Sequence, residues 1–494
     1  MYYKSTRNDA IKLTASEAIL KGLSDDGGLF VPSEFPKLSK SLKEISELDY
    51  KETAYLVMKN FLSDFTKEEL MECINKAYDE KFDTPEIAPL AEAEGAYYLE
   101  LFHGKTIAFK DMALSILPHL LITAAKKNNS DKEIVILTAT SGDTGKAALA
   151  GFAGVKGTRI IVFYPKGGVS KVQELQMVTQ KESNTEVIGV KGNFDDCQSS
   201  VKEIFNDKAL KEEMAKAGFQ FSSANSINIG RLVPQIVYYI YAYAKLLKED
   251  RIKEGEKINI CVPTGNFGNI LAAFYAKNMG LPVNKLICAS NDNKVLFDFL
   301  KDGVYDKNRE FILTDSPSMD ILISSNLERL IYLAVGSDAE KTKALMESLK
   351  KDGIYSIKND FSLIKDQFVG EYANWEECSR KIHDLYADTG YVIDTHTAVA
   401  AASYDKYVAS TKDQTKTVIA STASPFKFTQ SVMKAIDSKY ENTDVFELIP
   451  ILSKTANVEI PNAIKEILDA KVVHKTVCEI SEMKTLVKEN MNLQ

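Results

Sequence analysis

Short apolar runs alternate with amphipathic stretches along most of this chain, and that alternation predicts an α/β fold. Several of the apolar runs are followed by a Gly-containing turn and then by residues with helical spacing. Strands that alternate with helices in this way favour largely parallel sheets flanked by helices. The predicted buried strands are 97–102, 134–138, 159–164, 185–190, 257–262, 285–289 and 416–420.

The first 95 residues have a different pattern, which predicts a mainly helical region. Apolar residues recur there at helical spacing, most clearly in 56–62. The exception is 27–32, where two glycines precede a short extended segment.

Composition restricts the partners of the protein more than its fold. The chain has 494 residues, 45% of them hydrophobic, which is an ordinary globular composition with length for two or three domains. The net charge of -8 argues against nucleic acid or an anionic membrane as a main partner. An anion site would therefore have to be local, built from backbone amides and a few cations.

The cysteines and histidines favour a reduced, metal-free protein. None of the six cysteines forms a CxxC pair, and the five histidines show no metal-ligand spacing. The N-terminus has no secretory signal, and no segment is long and apolar enough to span a bilayer. These features predict a cytoplasmic protein without a metal site.

Lys110 is the strongest single candidate for chemistry. It lies among small and apolar residues, including Ala108, Phe109 and Met112. Partial desolvation would lower its pKa and make the amine nucleophilic enough to form an imine with a carbonyl, as lysines that bind pyridoxal phosphate do. The alternative is an ordinary lysine at a helix start whose charged end reaches solvent.

Three further loops follow predicted strands, where open α/β sheets bind ligands. They are 138–145, rich in glycine and hydroxyl residues, 263–269, with two glycines three apart, and 421–425. Loops of the first two kinds suit a carboxylate or phosphate at a helix N-terminus. Each loop also has a simple structural interpretation, as a strand-to-helix turn or an N-cap.

Two nucleotide-binding interpretations do not hold. A P-loop ending at Gly104 would need a glycine where this chain has Leu99. The segment 265–268 lacks the GxGxxG spacing of a dinucleotide fold, so NAD binding is not supported.

Taken together, the motifs resemble those of the threonine synthases of the longer bacterial and fungal type. The matching motifs are GLSDDGGLFVP (22–32), ELFHG (100–104), AFKD (108–111), ATSGDTG (139–145), NSINIGR (225–231), PTGNFGN (263–269), SPSMDI (316–321) and SSNLER (324–329). The resemblance implies a fold-type II pyridoxal phosphate enzyme, similar to tryptophan synthase β, with two open parallel or mixed sheets flanked by helices. It also implies a helical N-terminal domain (1–95), a smaller α/β domain (96–224) and a large α/β domain (225–494).

The resemblance also implies roles for individual residues. Lys110 would carry pyridoxal 5'-phosphate and act as acid and base, and Asp143 would contact the 3-oxygen of the cofactor ring. Thr422 would hydrogen-bond the pyridine nitrogen. The cradle for the cofactor phosphate would consist of Gly265, Asn266, Phe267, Gly268 and Asn269.

The substrate site is implied in the same way. Ser141 and Thr144 would contact the substrate, while Asn225, Ser226 and Arg231 would bind its phosphate. Residue chemistry agrees for the phosphate, because a guanidinium beside amide and hydroxyl donors suits a phosphate dianion. The alternative for Arg231 is a surface or ion-paired arginine.

The chain departs from the family pattern at two positions. Lys105 replaces a usual proline and would add a cation near the bound phosphates, and Ser424 replaces a usual histidine. His103 is interpreted as structural, which leaves Lys110 as the general base.

The implied activity is that of a carbon-oxygen lyase acting on a phosphate. O-phospho-L-homoserine and water would give L-threonine and phosphate in an enzyme that is a monomer or homodimer. The alternatives are another fold-type II activity, such as a dehydratase or phospho-lyase, and a protein that binds its ligands without turnover.

Overall fold

A computed structural model describes residues 1–140, 142–169 and 171–493 of the chain. The strands are β1 (Tyr3–Ser5), β2 (Asn8–Leu13), β3 (Phe30–Pro32), β4 (Leu90–Ala93), β5 (Ala96–Glu100), β6 (Glu133–Ala139), β7 (Thr158–Pro165), β8 (Thr185–Lys191), β9 (Phe219–Ser222), β10 (Ile258–Pro263), β11 (Val283–Ser290), β12 (Val304–Asp306), β13 (Ile354–Ser356), β14 (Phe368–Tyr372), β15 (Thr417–Ser421) and β16 (Val477–Glu479). The seven strands predicted from sequence are confirmed, each to within two residues at either end.

Helices occupy the connections between these strands. They are α1 (Ala15–Lys21), α2 (Leu42–Ile45), α3 (Tyr50–Phe61), α4 (Lys67–Ala77), α5 (Asp111–Leu114), α6 (Leu117–Lys127), α7 (Asp143–Phe152), α8 (Lys171–Val178), α9 (Phe194–Asn206), α10 (Lys208–Lys216), α11 (Ile229–Lys248), α12 (Gly268–Met279), α13 (Val295–Asp302), α14 (Leu327–Ala334), α15 (Ala339–Lys351), α16 (Ser362–Gln367), α17 (Trp375–Thr389), α18 (Thr395–Thr411), α19 (Thr429–Ile436), α20 (Val445–Ala456), α21 (Asn462–Leu468) and α22 (Met483–Asn490). Short 3-10 helices lie at Pro317–Met319, Lys358–Asp360, Pro425–Phe428, Ser438–Tyr440 and Ile480–Glu482.

Two sheets form the framework of the α/β fold. The larger sheet has the strand order β14-β11-β10-β15-β5-β4 and is parallel except for the β4–β5 pair. The smaller sheet has the order β16-β8-β7-β6-β9 and is parallel throughout. The carboxyl ends of β5, β10 and β15 therefore meet at one edge of the larger sheet.

The N-terminal region is mainly helical and also contains a small antiparallel sheet. α1, α2, α3 and α4 each begin with a capping box, in which the N-cap side chain and the third helical residue satisfy each other's backbone amides. β3 matches the extended segment predicted at 27–32. β1 and β2, with which it forms the order β2-β1-β3, were not predicted.

α11 joins the N-terminal region to the rest of the core. Almost all of its 20 residues are buried, as expected of a helix that is apolar on every side. It packs against α3 on one side and α12 on the other. Its first turn carries Arg231, so the burial of α11 also determines the surroundings of that residue.

Two strand pairings cross the predicted domain boundaries. β5 was placed in the smaller domain, but it pairs with β15 in the larger sheet. β16 lies in the last part of the chain, yet it pairs with β8 at the edge of the smaller sheet. The division at residues 95 and 224 itself stays a prediction.

Candidate active site

The loop between β5 and α5 holds Lys110 in a fixed conformation. The Asp111 carboxylate accepts hydrogen bonds from the Thr106 amide at 2.7 Å and from the Thr106 hydroxyl at 2.6 Å. A Cβ on Gly104 would lie 2.6 Å from that carboxylate, so the loop approaches it very closely. Ile107 has a φ of 50°, a strained conformation for a β-branched residue that is held by these surroundings.

A second loop, which follows β15, is bound directly to the Lys110 loop. The Phe109 amide donates to the Thr422 carbonyl at 2.8 Å, and the Ser424 amide donates to the Ile107 carbonyl at 3.0 Å. The Thr422 side chain is buried, with 5% of its surface exposed. Lys110 and Thr422 therefore follow adjacent parallel strands of the larger sheet, although the sequence placed them in different domains.

The Lys110 amine is nearly buried between the two sheets. Its side chain is 11% exposed, and Nζ lies 3.3 Å from Ser318 Oγ and 3.9 Å from Asp143 Oδ2. Burial lowers the pKa of Lys110 to about 8; the positive charges of Lys427 and Arg231 act in the same direction. A substantial fraction of the amine is neutral near physiological pH, which is the form that acts as nucleophile or base.

Asp143 reaches the amine from the smaller sheet. One of its oxygens lies 3.1 Å from Lys427 Nζ and accepts a 2.9 Å hydrogen bond from Gln173, and the other accepts a 2.8 Å hydrogen bond from the Ser318 hydroxyl. Burial alone would raise the pKa of Asp143, but the ammonium groups of Lys427 and Lys110 hold it well below its usual range. Asp143 is thus a buried, ionised acceptor facing Lys110.

The loop before Asp143 is shaped by Thr140. Its hydroxyl accepts hydrogen bonds from the Gly142 amide at 2.9 Å and the Gly145 amide at 3.0 Å. Gly142 has a φ of 139°, which favours glycine, and a Cβ on Gly145 would lie 2.5 Å from Thr140. Thr144 is half-buried at this helix start. Ser141, predicted to contact substrate, lies outside the described residues.

The segment 265–269 forms a tight turn from β10 into α12. A Cβ on Gly265 would lie 2.8 Å from the Ser318 carbonyl oxygen, so only glycine fits without a shift. Phe267 is buried in the left-handed conformation with φ 63°, and Gly268 is the first residue of α12. The turn therefore presents backbone amides at the N-terminus of a twelve-residue helix, which suits an anion.

The two asparagines of this turn have different surroundings. Asn266 is exposed, and its carbonyl accepts hydrogen bonds from Asn326 at 3.1 and 3.0 Å. Asn269 is buried, and its Oδ1 accepts the hydroxyls of Tyr238 at 2.7 Å and Tyr239 at 2.5 Å. Those bonds leave the Asn269 Nδ2 as a buried donor that has no partner in the part of the chain described.

Arg231 is a buried cation in the first turn of α11. It is 3% exposed, and Nη1 donates to the Ala224 carbonyl at 3.0 Å. Across the described residues it has no carboxylate partner, and its Nε is buried without a hydrogen bond. Burial lowers its pKa to about 10, so it stays charged. Asn225, exposed, and Ser226, half-buried, precede it in the loop that leads into the helix.

Three side chains at the site were assigned no role from sequence. Ser318 contacts both Lys110 and Asp143, and Lys427 is the ion partner of Asp143. His396 accepts the Ser318 amide at 3.2 Å through Nε2 and pairs with a carboxylate through Nδ1. The only signal was that Ser318 lies in the segment 316–321, which resembles a motif of the family.

His103 is held as a structural cation. Its two ring nitrogens lie 2.5 Å from Asp83 and 2.9 Å from Glu100. Although burial opposes the charge, those carboxylates raise the pKa of His103 to about 9. A histidine that stays protonated near neutral pH is a poor general base, which agrees with the interpretation from sequence.

The two departures from the family pattern have small structural effects. Lys105 is exposed, and its charge acts on Glu182 in the smaller domain. The sequence predicted this cation near the bound phosphates. Ser424 is buried and caps a short 3-10 helix, with its hydroxyl accepting the Phe426 amide at 3.4 Å.

The described residues offer neither a metal-binding cluster nor a membrane-spanning helix. No group of three or more His, Cys, Asp and Glu side chains in residues 1–140, 142–169 and 171–493 could hold a metal ion. Among the helices described, none has the length and apolar character needed to cross a membrane.

Family models match most of the chain. The model "Threonine synthase N terminus" matches residues 2–78, "Pyridoxal-phosphate dependent enzyme" matches 83–423, and "Threonine synthase, C-terminal" matches 397–487. The second of these covers the loops that carry Lys110, Asp143 and Gly265, and it extends to Thr422.

Named relatives and a solved structure agree with the family models. Threonine synthase-like 1 of Homo sapiens is 40% identical over 441 residues, which cover 86% of this chain and 58% of the human protein. Threonine synthase of Schizosaccharomyces pombe is 37% identical over 481 residues, covering 91% of this chain and 92% of the relative. The crystal structure of PLP-bound threonine synthase from Brucella melitensis has a TM-score of 0.88 at 33% identity, with 99% of both chains covered.

The match with the Brucella structure confirms the fold-type II architecture expected from sequence. The yeast relative is matched over almost its full length, whereas the chain spans only 58% of Threonine synthase-like 1. On the models, the relatives and the fold together, the chain belongs to the threonine synthase family of pyridoxal-phosphate dependent enzymes.

Proposed function

We propose that this protein is a threonine synthase, which converts O-phospho-L-homoserine and water to L-threonine and phosphate in the last step of threonine biosynthesis. The observation that carries the proposal is Arg231, a buried cation whose charge acts on the Lys110 amine and which has no carboxylate partner among the described residues. A buried guanidinium in this state calls for an anionic ligand. The substrate of an amino-acid dehydratase carries no phosphate, so a dehydratase would not need the Arg231 guanidinium.

The residues present fit pyridoxal 5'-phosphate. The turn at Gly265 has no room for a Cβ, and Asn269 offers a buried amide donor without a partner, both at the N-terminus of α12. We propose that 265–269 bind the cofactor phosphate, that Lys110 holds the cofactor through its amine, and that Asp143 contacts the ring 3-oxygen. The hydroxyl of Thr422, which is buried, would hydrogen-bond the pyridine nitrogen.

When bound, the cofactor supplies an electron sink for the negative charge that develops on substrate carbons. Lys110 acts as the base that removes the α-proton, and its pKa of about 8 keeps part of the amine neutral for that step. With 11% of its side chain exposed, Lys110 works in a site from which most bulk water is excluded.

The remaining residues of the site bind and orient the substrate. Arg231, with Asn225 and Ser226, holds the phosphate and stabilises its charge as it leaves the γ-carbon, before water adds at the β-carbon. Ser141 and Thr144 complete the substrate contacts in this proposal. Thr144 lies in the first turn of α7.

The proposal extends to the setting of the enzyme. The net charge of -8 and six buried free cysteines support a cytoplasmic protein with a small-molecule substrate and no nucleic-acid partner. We propose a monomer or homodimer with domains 1–95, 96–224 and 225–494.

The test is to incubate purified protein and added pyridoxal 5'-phosphate with O-phospho-L-homoserine, and to measure phosphate and threonine together. Equal amounts of the two products are expected. Phosphate with 2-oxobutanoate in place of threonine would identify a phospho-lyase, and no phosphate at all would refute the proposed activity.

The variant Arg231→Ala, with a control, distinguishes the binding site for the substrate phosphate from the cofactor site. Arg231→Ala should raise KM for O-phospho-L-homoserine by about 100-fold, because a charge-assisted contact to phosphate contributes about 1.5–3 kcal/mol. The affinity for the cofactor should change little. Arg159→Ala, which removes an arginine paired with Glu133 away from the site, serves as the matched control. Equal KM values in the Arg231 and Arg159 variants would contradict the phosphate site.

A further inference from the structure

Ser318 is the one side chain in the described part of the chain within hydrogen-bond distance of the Lys110 amine. Its Oγ lies 3.3 Å from Lys110 Nζ and 2.8 Å from Asp143 Oδ2. The amine and the carboxylate are 3.9 Å apart, so the serine hydroxyl bridges them. Ser318 lies at the centre of the 3-10 helix Pro317–Met319.

The surroundings of Ser318 fix its position. The Asp320 carboxylate accepts hydrogen bonds from the Thr314 hydroxyl at 2.7 Å and from the Asn291 amide at 2.7 Å, which closes the loop that carries the serine. His396 accepts the backbone amide of Ser318 at 3.2 Å. Because the loop and the backbone of Ser318 are held in this way, the serine hydroxyl has a defined direction.

The direction of each hydrogen bond follows from the ionisation states. Asp143 is ionised and can only accept, so the Ser318 hydroxyl proton points to it. The oxygen then offers only lone pairs to Lys110, and the amine must donate an N–H to the serine. When Lys110 is neutral, its own lone pair therefore points away from Ser318 and is free for a substrate proton.

We propose that Ser318 is a further catalytic residue, which orients the Lys110 amine and stabilises its ammonium form after proton abstraction. The proposal rests on the proposed threonine synthase activity. In the step concerned, the C–H bond at the substrate α-carbon breaks, an N–H bond forms at Lys110 Nζ, and the electron pair stays with the substrate carbon. The new ammonium then donates to the serine oxygen, whose proton remains directed at Asp143.

Other charges around Lys110 are unchanged when the serine hydroxyl is removed. Asp143 and Asp111 stabilise the ammonium form, whereas Lys427 and Arg231 oppose it. Loss of the serine acceptor adds to the opposing side, so the pKa of Lys110 falls.

Ser318→Ala separates catalytic from structural effects by kinetics. We expect kcat to fall by about 10- to 100-fold with KM nearly unchanged, and the acid limb of the kcat profile to move to lower pH. Ser318→Thr keeps the hydroxyl and should retain the wild-type acid limb. Ser431→Ala is the matched control, because its hydroxyl binds Asp315 of the same loop at 2.6 Å without contacting Lys110.

A second readout needs no substrate. The rate at which apoprotein takes up pyridoxal 5'-phosphate, followed by visible absorbance, depends on the neutral fraction of Lys110. Ser318→Ala should therefore take up cofactor faster than wild type at pH 7 while its kcat falls, whereas mere damage to the site would slow both. Should the alanine variant fail to fold, Ser318→Cys gives the same comparison with a weaker acceptor.

The outcomes of the two assays are distinguishable. An unshifted acid limb together with unchanged or slower uptake in Ser318→Ala would overturn the role of Ser318. Wild-type protein that makes no threonine would refute the proposed activity, and the uptake assay would still decide whether Ser318 acts on Lys110.

Discussion

Burial gives the lysines of this site properties that surface lysines lack. Lys110 has a hydroxyl and a carboxylate beside it, whereas Lys427 is paired with Asp143 and bonded to the Thr106 carbonyl at 2.9 Å. Lys146, one turn along α7 from Asp143, is buried with no hydrogen bond from any described residue, and burial lowers its pKa well below the usual range. Asp143 is therefore the carboxylate that faces both Lys110 and Lys427.

The first prediction concerns the amine that holds the cofactor. Lys110→Ala should abolish the visible absorbance of the lysine-bound cofactor in purified protein, because no other described side chain occupies its place between the sheets. Lys105→Ala removes an exposed lysine from the same loop and should keep the wild-type spectrum. An unchanged spectrum in the Lys110 variant would contradict the assignment.

The buried ion pair between Lys427 and Asp143 should stabilise the folded protein. Lys427→Met leaves the buried Asp143 carboxylate without its cation, so its pKa should rise, and the free energy of unfolding should fall by about 3–5 kcal/mol. Urea unfolding at pH 7 measures the change. Lys434→Met is the control, because its partner Glu441 and its own side chain are largely exposed. A similar small loss in both variants would show that the buried pair contributes little.

At the scale of elements, sequence predicted best where each strand is determined by its own apolar residues. The seven central strands were found because their apolar runs are separated by clear turns. β14 and β16 were not predicted, because they have only three to five residues and exist by pairing with strands distant in sequence.

The same distinction holds for the loops of the site. Their placement at strand ends could be predicted, but only the family resemblance implied that Lys110 and Thr422 serve the same cofactor. The role of Ser318 could not be predicted, because it depends on the carboxylate of Asp143, 175 residues away at the start of α7. A short 3-10 turn with a serine has no periodicity that indicates such a partner.

A pH-dependent prediction belongs to the loop after β5, which His103 attaches to the N-terminal region. The pKa of His103 is raised from 6.5 to about 9, so its stabilisation is fully present below pH 6.5 and is lost as the pH rises through about 9. His103→Gln should lower the free energy of unfolding by about 3 kcal/mol at pH 6 and much less at pH 10.

Urea unfolding at both pH values gives the comparison. His383→Gln removes a histidine that is 55% exposed and should show no such dependence. A destabilisation by His103→Gln that is the same at pH 6 and pH 10 would exclude the charged pairs as its cause.

At the scale of the molecule, the end of the chain belongs to the smaller α/β unit. Met483 is fully buried, and it packs with Cys197, Leu210 and Val487 in the core on one face of the smaller sheet. The same sheet positions Asp143 through β6 and α7. The C-terminal segment is therefore expected to support the active site without contacting it.

Met483→Ala tests this support. The cavity should lower the free energy of unfolding by about 2–5 kcal/mol, and threonine formation should be lost at lower urea concentrations than in wild type. Ile480→Ala nearby removes a side chain that is 37% exposed and should have a small effect. Equal stabilities for the two variants would mean that α22 contributes little to this core.

The pairing of β16 with β8 has a consequence for the order of folding. The pair joins segments 288 residues apart, as the Lys191–Glu479 contact shows, and closing so long a loop is slow because its entropy cost is met before the contacts form. Until β16 arrives, β8 is an open edge with unpaired amides and carbonyls, which other chains can join. Newly synthesised or refolding protein should thus be most prone to aggregate in the interval before its last strand docks.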